Sequence, residues 1–203
     1  SLLFLYWGTG KDKRLVFIFT IWQLLTGSFA FAEIFKKKPN LFPVAILGTV
    51  LLVLVNLKII DRKKLNVKFL LAIHVLRIPV ELILYQLYLQ NKIPRLMTFT
   101  GWNFDILIGI SALILLIYFV FAKGRLNRQF FISWNIAGIL FLLFIVSSAI
   151  LSSPLPIQQF AFEQPNRAVL EFPYCFLPAC VVPVVLLSHI LLISNQKKHC
   201  PAL

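Results

Sequence analysis

The sequence predicts an all-α, polytopic integral membrane bundle of six transmembrane helices, and three observations predict it. The chain is 60% hydrophobic, above the roughly half-apolar content of soluble domains. Its apolar residues come in blocks of about twenty, the length that crosses a ~30 Å hydrocarbon core at about 1.5 Å per helical residue. Lysine and arginine fall almost entirely between those blocks. In lipid every backbone N–H and C=O must be satisfied within the protein, so such blocks must be helices. Residues 1–203 read as a single transmembrane helical-bundle domain, with no internal repeat.

Residues 1–7, SLLFLYW, are apolar but too short to cross. They read as an interfacial anchor, with Tyr6 and Trp7 at headgroup level, or as the tail of a seventh, truncated helix. Lys11, Lys13 and Arg14 follow this stretch, the wrong order for a cleavable signal. The first two spans are expected at 15–35 and 41–60, as an antiparallel hairpin with Pro43 in the opening turn of the second. Gln23 and Thr26 sit deep enough to face the core, and Glu33 pairs naturally with Lys36 at the span's end. The third span is expected at 69–90 and the fourth at 104–122. Ahead of the fourth, Trp102 is an interface anchor and Asn103 a natural N-cap, while Asp105 suits the helix dipole. The fifth, 130–152, carries Ser147, Ser148 and Ser152, small enough for close helix approach. Its connection to the last span, 153–172, is long and rich in proline and phenylalanine, which predicts an ordered lid. The last span, 173–193, holds Pro178 and Pro183 and should bend there. It also holds Cys175 and Cys180, about 140° apart around one axis and poorly placed for a bridge.

A net charge of +13 would suggest nucleic acid in a soluble protein. Here the cations flank apolar blocks, so they read as topology signals and contacts to anionic lipid headgroups, with no nucleic acid as partner. Thirteen lie on one side: Lys11, Lys13, Arg14, Lys58, Arg62, Lys63, Lys64, Lys68, Lys123, Arg125, Arg128, Lys197 and Lys198. Six lie on the other: Lys36, Lys37, Lys38, Lys92, Arg95 and Arg167. The excess belongs in the cytoplasm. Both termini are then cytoplasmic and the 153–172 loop extracytoplasmic, in a multi-pass plasma-membrane protein of the bacterial inner-membrane type.

The twentieth cation, Arg77, lies inside the third span. With His74 at zero and about 100° per residue, Arg77 falls near −60°, Glu81 near −20°, Tyr85 near +20° and Tyr88 near −40°. The polar residues thus share one wedge that must not face lipid. Arg77 and Glu81, four apart, are spaced to pair. Pro79 between them cannot donate to the Val75 carbonyl, which predicts a local break beside His74. Broken helices of this kind recur where membrane proteins bind ions or substrates.

The expected function is therefore binding of a small solute or ion, with translocation as its extension. Arg77 would hold an anionic group, Glu81 would act as counter-ion, and His74, Tyr85 and Asn135 would line the site, with Asp105 and Asn103 in an outer vestibule. A second reading pairs His74 with His189, at matched depth in two helices, as axial ligands of a b-type haem or members of a metal site or proton relay. A third is an assembly protein without a small-molecule site. No HExxH, G-x-S-x-G or nucleotide-binding motif is present, so no enzyme class is assigned.

Overall fold

The computed structural model describes residues 1–122 and 126–196. Lys123, Arg125, Lys197, Lys198 and Cys200 lie outside the described residues. The chain is all-helical, and among the described residues there is no strand. The helices are α1 (Leu2–Gly8), α2 (Lys13–Phe31), α3 (Ile34–Lys37), α4 (Leu41–Ile59), α5 (Val67–Val75), α6 (Arg77–Leu89), α7 (Asp105–Ile117), α8 (Arg128–Leu151) and α9 (Val182–Gln196). Several begin where a short polar side chain satisfies an orphan N–H. Asp12 accepts from Arg14 N at 3.0 Å, Asn66 from Lys68 N at 3.1 Å, and Asn127 from Gln129 N at 2.8 Å.

Four segments are long and apolar enough to cross a membrane: Lys13–Phe31, Leu41–Ile59, Arg128–Leu151 and Leu177–Asn195. The last is the axis of the bundle, being 56% buried where Leu41–Ile59 is 22% buried. It starts as a π-helical turn, Leu177–Val181, and continues as α9. Pro183 offers no N–H to the Ala179 carbonyl. That carbonyl instead accepts the Gln23 amide at 2.8 Å, which ties α2 to the irregular turn. The α1, α4, α5 and α8 helices all pack on α9. Ser188 reaches the Leu70 carbonyl at 2.8 Å, bonding α9 to α5.

Three sequence expectations change here. Residues 1–7 are not a free anchor: α1 docks along α5, with Leu5 buried, Leu3 and Trp7 still exposed, and the Gly8 carbonyl accepting Asn66 N–H at 2.8 Å. A side chain at position 8 would meet Leu70 Cδ2 at 2.8 Å, so glycine permits this contact. The break expected beside His74 is a full interruption at Leu76 that makes the third span two helices, and Pro79, rather than sitting mid-helix, occupies the first turn of α6 where its missing N–H costs little. The first span stops at Phe31; Glu33 then takes a left-handed conformation (φ 58°) and starts the short α3. The expected Glu33–Lys36 pair forms at 3.5 Å.

Both long connections at the far end of α6 are packed into the bundle. Ile93, Met97, Thr98 and Asn103 are buried in the first, and Leu155, Asn166 and Ala168 in the second. The two are bonded to each other: Gln164 Nε2 donates to the Ile93 carbonyl at 2.6 Å, and Arg167 N to the Lys92 carbonyl at 2.9 Å. Glu171 fastens them to the α3 end through Lys92 Nζ at 2.8 Å and Lys36 Nζ at 3.3 Å. Partial burial pushes the Glu171 carboxyl up, but the hydrogen bonds and charges of the two lysines outweigh it and hold the group below the ordinary carboxylate range.

Candidate functional site

The break at Leu76 makes Arg77 the first residue of α6, where its side chain projects among three other helices. Nη1 donates to Asp105 Oδ1 on α7 at 2.7 Å. Nη2 donates to the Gly138 carbonyl on α8 at 3.2 Å and to His189 Nε2 on α9 at 3.0 Å. A guanidinium has only donors, so His189 Nε2 must accept. The proton of His189 then sits on Nδ1, which donates to Asn135 Oδ1 at 2.8 Å. Asn135 passes the polarity on by donating to the Phe131 carbonyl at 2.8 Å. The network itself assigns these orientations, with His189 a neutral imidazole. Arg77, Asp105, Asn135 and His189 are all buried.

Two glycines let the helices converge on this point. A Cβ at Gly138 would run into the His189 ring. A Cβ at Gly109 would meet Ile78 Cγ1 at 2.9 Å and Arg77 Cβ at 3.2 Å.

The i, i+4 pair expected between Arg77 and Glu81 is not formed. Asp105, Gly138 and His189 hold the guanidinium's terminal nitrogens, and Glu81 takes a different partner. Asn103 Nδ2 donates to Glu81 Oε1 at 2.5 Å and also to the Met97 carbonyl at 3.1 Å. Its Oδ1 accepts Asp105 N–H at 3.1 Å, as a cap would. Asn103 thus holds both carboxyl-bearing residues in register. Glu81 Oε2 is buried without a partner.

His74 is fully buried, with neither ring nitrogen hydrogen-bonded to the protein. Its ring stacks on His189 (centroids 3.8 Å, planes 30° apart) and meets Trp134 edge-on at 5.5 Å. Axial haem ligands must each present a ring nitrogen to the iron from opposite sides. Here the two rings lie against each other and both His189 nitrogens are committed, so the pair does not fit a haem. Among the described residues there is no group of three or more His, Cys, Asp or Glu suited to a metal ion. Tyr85 does not join the cluster: it packs, half-buried, on Phe99 at 5.0 Å and Tyr88 at 6.2 Å.

Beside the network lies a cavity of ≈ 280 Å³ between α4, α6, α8, α9 and residues 166–169. Its lining is aliphatic and aromatic over nearly all its extent, and Glu81 and Asp105 are its charged members. Val50, Leu54 and Leu143 line it and are also half-exposed, so it opens sideways between α4 and α8 at the apolar surface.

Sequence reasoning did not find Gly138, Gly109 or Ser111, which accepts Trp134 Nε1 at 2.8 Å. A small residue inside an apolar helix was the available signal in each case.

The fold and site define an all-helical protein, with four helices long and apolar enough to cross a membrane and a buried charged network beside an apolar cleft. The chain belongs to the family described as a domain of unknown function (DUF8737), whose model matches residues 40–195. That range contains every residue of the network and the cleft and excludes α1, α2 and α3. No curated protein and no solved structure matches the chain.

Proposed function

We propose that the protein is a six-span plasma-membrane protein, of bacterial inner-membrane type with both termini cytoplasmic, whose interior cleft binds an apolar-bodied ligand admitted from the bilayer. The basic excess on one side supports the orientation and contacts to anionic headgroups there. The observation that carries the functional reading is the cleft: apolar walls, a lateral mouth at hydrocarbon-facing residues, and two buried carboxyls on the lining. Pockets of this composition use apolar walls for affinity and a few polar groups for orientation.

This shifts the role first expected of Arg77. Its terminal nitrogens already hold protein partners, and it does not line the cleft, so it serves as the site's framework. A strongly hydrated solute would gain little from such walls. The stacked His74 and His189 rings, with Trp134 edge-on to His74, pack beside the network, which favours binding over a through-path.

The test is protein purified in mild detergent without added lipid, examined by native mass spectrometry. A co-purifying apolar molecule near one per chain is expected. Ala149→Trp, which places an indole in the cleft, should fold and lose it. A folded Ala149→Trp protein with an unchanged bound complement overturns the reading.

A further inference from the structure

Resting on the cleft being a ligand site, we infer that its ligand carries a cationic N–H head, an ammonium on an apolar body, and that Glu81 is the counter-ion.

Four observations converge on this. The charges of Arg77 and Asp105 are matched to each other at 2.7 Å. Glu81 has no such match, since its one protein partner is the neutral amide of Asn103. Among the lining residues, the buried side-chain atoms without a partner are Glu81 Oε2 and Asn166 Oδ1, both acceptors, with no unpartnered donor beside them. The remaining polar groups there are already engaged: Thr49 with Trp22 and Ala45, and Ser153 with Ala149 and Asn166. Arg77 Nε also lacks a partner, but Arg77 is not part of the lining.

Buried acceptors need donors, and a carboxyl in hydrocarbon is held ionised only when a positive charge is brought beside it. An ammonium supplies three N–H donors and the charge together. A carboxylate or phosphate head would instead bring further acceptors to a lining that lacks unpartnered donors. An alcohol can satisfy one oxygen but brings no charge that would hold Glu81 ionised.

Lipids with amine heads and free long-chain amines share this chemistry. The experiment uses the full-length protein in phosphatidylcholine nanodiscs and three probes with one common tail: dodecylamine, dodecanol and dodecanoate. Dodecylamine should bind at least about tenfold tighter than dodecanol at neutral pH, and dodecanoate weakest. Glu81→Gln should abolish the preference for the amine while keeping dodecanol binding, and Glu81→Asp, which retains the charge should the amide variant misfold, should preserve it. Repeating the titration in phosphatidylethanolamine nanodiscs separates the sources, because competition there identifies a lipid ligand and its absence a free amine.

Equal affinity of the wild-type protein for all three probes overturns the inference and leaves the cleft standing. So does an amine preference that survives Glu81→Gln. Failure of every probe to bind overturns the cleft reading itself.

Discussion

Arg77 holds acceptors on α7, α8 and α9 from one guanidinium. Removing one member of a buried pair strands the other charge, which typically costs about 3–5 kcal/mol. Asp105→Asn should therefore lower thermal stability by an amount of that order. Arg77→Leu/Asp105→Leu should recover part of the loss. It removes both charges, yet leaves His189 Nε2 and the Gly138 carbonyl without their shared donor. A thermal-denaturation cycle over the two singles and the double measures the coupling, and additive losses would show that the pair does not act as a unit. Much of this residue-scale detail was readable in advance: Arg77 and Glu81 were marked by charge at membrane depth. Their partners were not, because pairing across helices depends on where α7 meets α6. Asn103 and Asp105 read both as a cap with a dipole charge and as an outer vestibule of the site, but neither reading gave Asn103 as the partner of Glu81 or Asp105 as the partner of Arg77.

Among the elements, long apolar blocks were the easiest to read, since length and hydropathy alone set α2, α4, α8 and the last span. Interrupted elements were harder. The sequence marked Pro79, Pro178 and Pro183 as breakers and the break beside His74, but not that the irregular turn would free the Ala179 carbonyl for Gln23. The docking of α1 was out of reach for a related reason: seven apolar residues cannot span, and sequence gives no view of the groove on α5 that Leu5 fills. The Leu5→Ala variant tests that docking. In a bundle core the cavity left by Leu→Ala costs about 2–5 kcal/mol, the lower end applying where lipid is the competing environment. A lower melting temperature in detergent is the expected outcome. No change would return α1 to the role of a surface anchor.

At the scale of the whole molecule, the proposed topology places Lys63 and Gln159 on opposite faces, three spans apart. Lys63→Cys and Gln159→Cys, in a background without the native thiols, should differ towards an impermeant thiol reagent on intact cells, with only Gln159→Cys labelled. Labelling of both, or the reverse pattern, overturns the span count or the orientation. The opposite check concerns acid. Glu171 joins three connections through Lys92 and Lys36, and its carboxyl sits below the ordinary range when folded. A depressed folded value gives stability that is present above the unfolded value and lost as pH falls through the folded one. Acid titration of thermal stability should therefore show a loss below the usual glutamate range, and Glu171→Gln should flatten it. The group is partly solvated, so the effect is modest. The arginine network also has a consequence in time. Asp105 follows Arg77 by 28 residues, but His189 follows it by 112. At about 5–20 residues per second of synthesis, Arg77 waits roughly 6–22 s for its last partner. On the proposed topology, the nascent chain during that interval holds a charged helix with an incomplete shell at the insertion machinery. Biogenesis of this protein is thus a sequence of provisional pairings, and truncation before α9 should send the chain to membrane quality control.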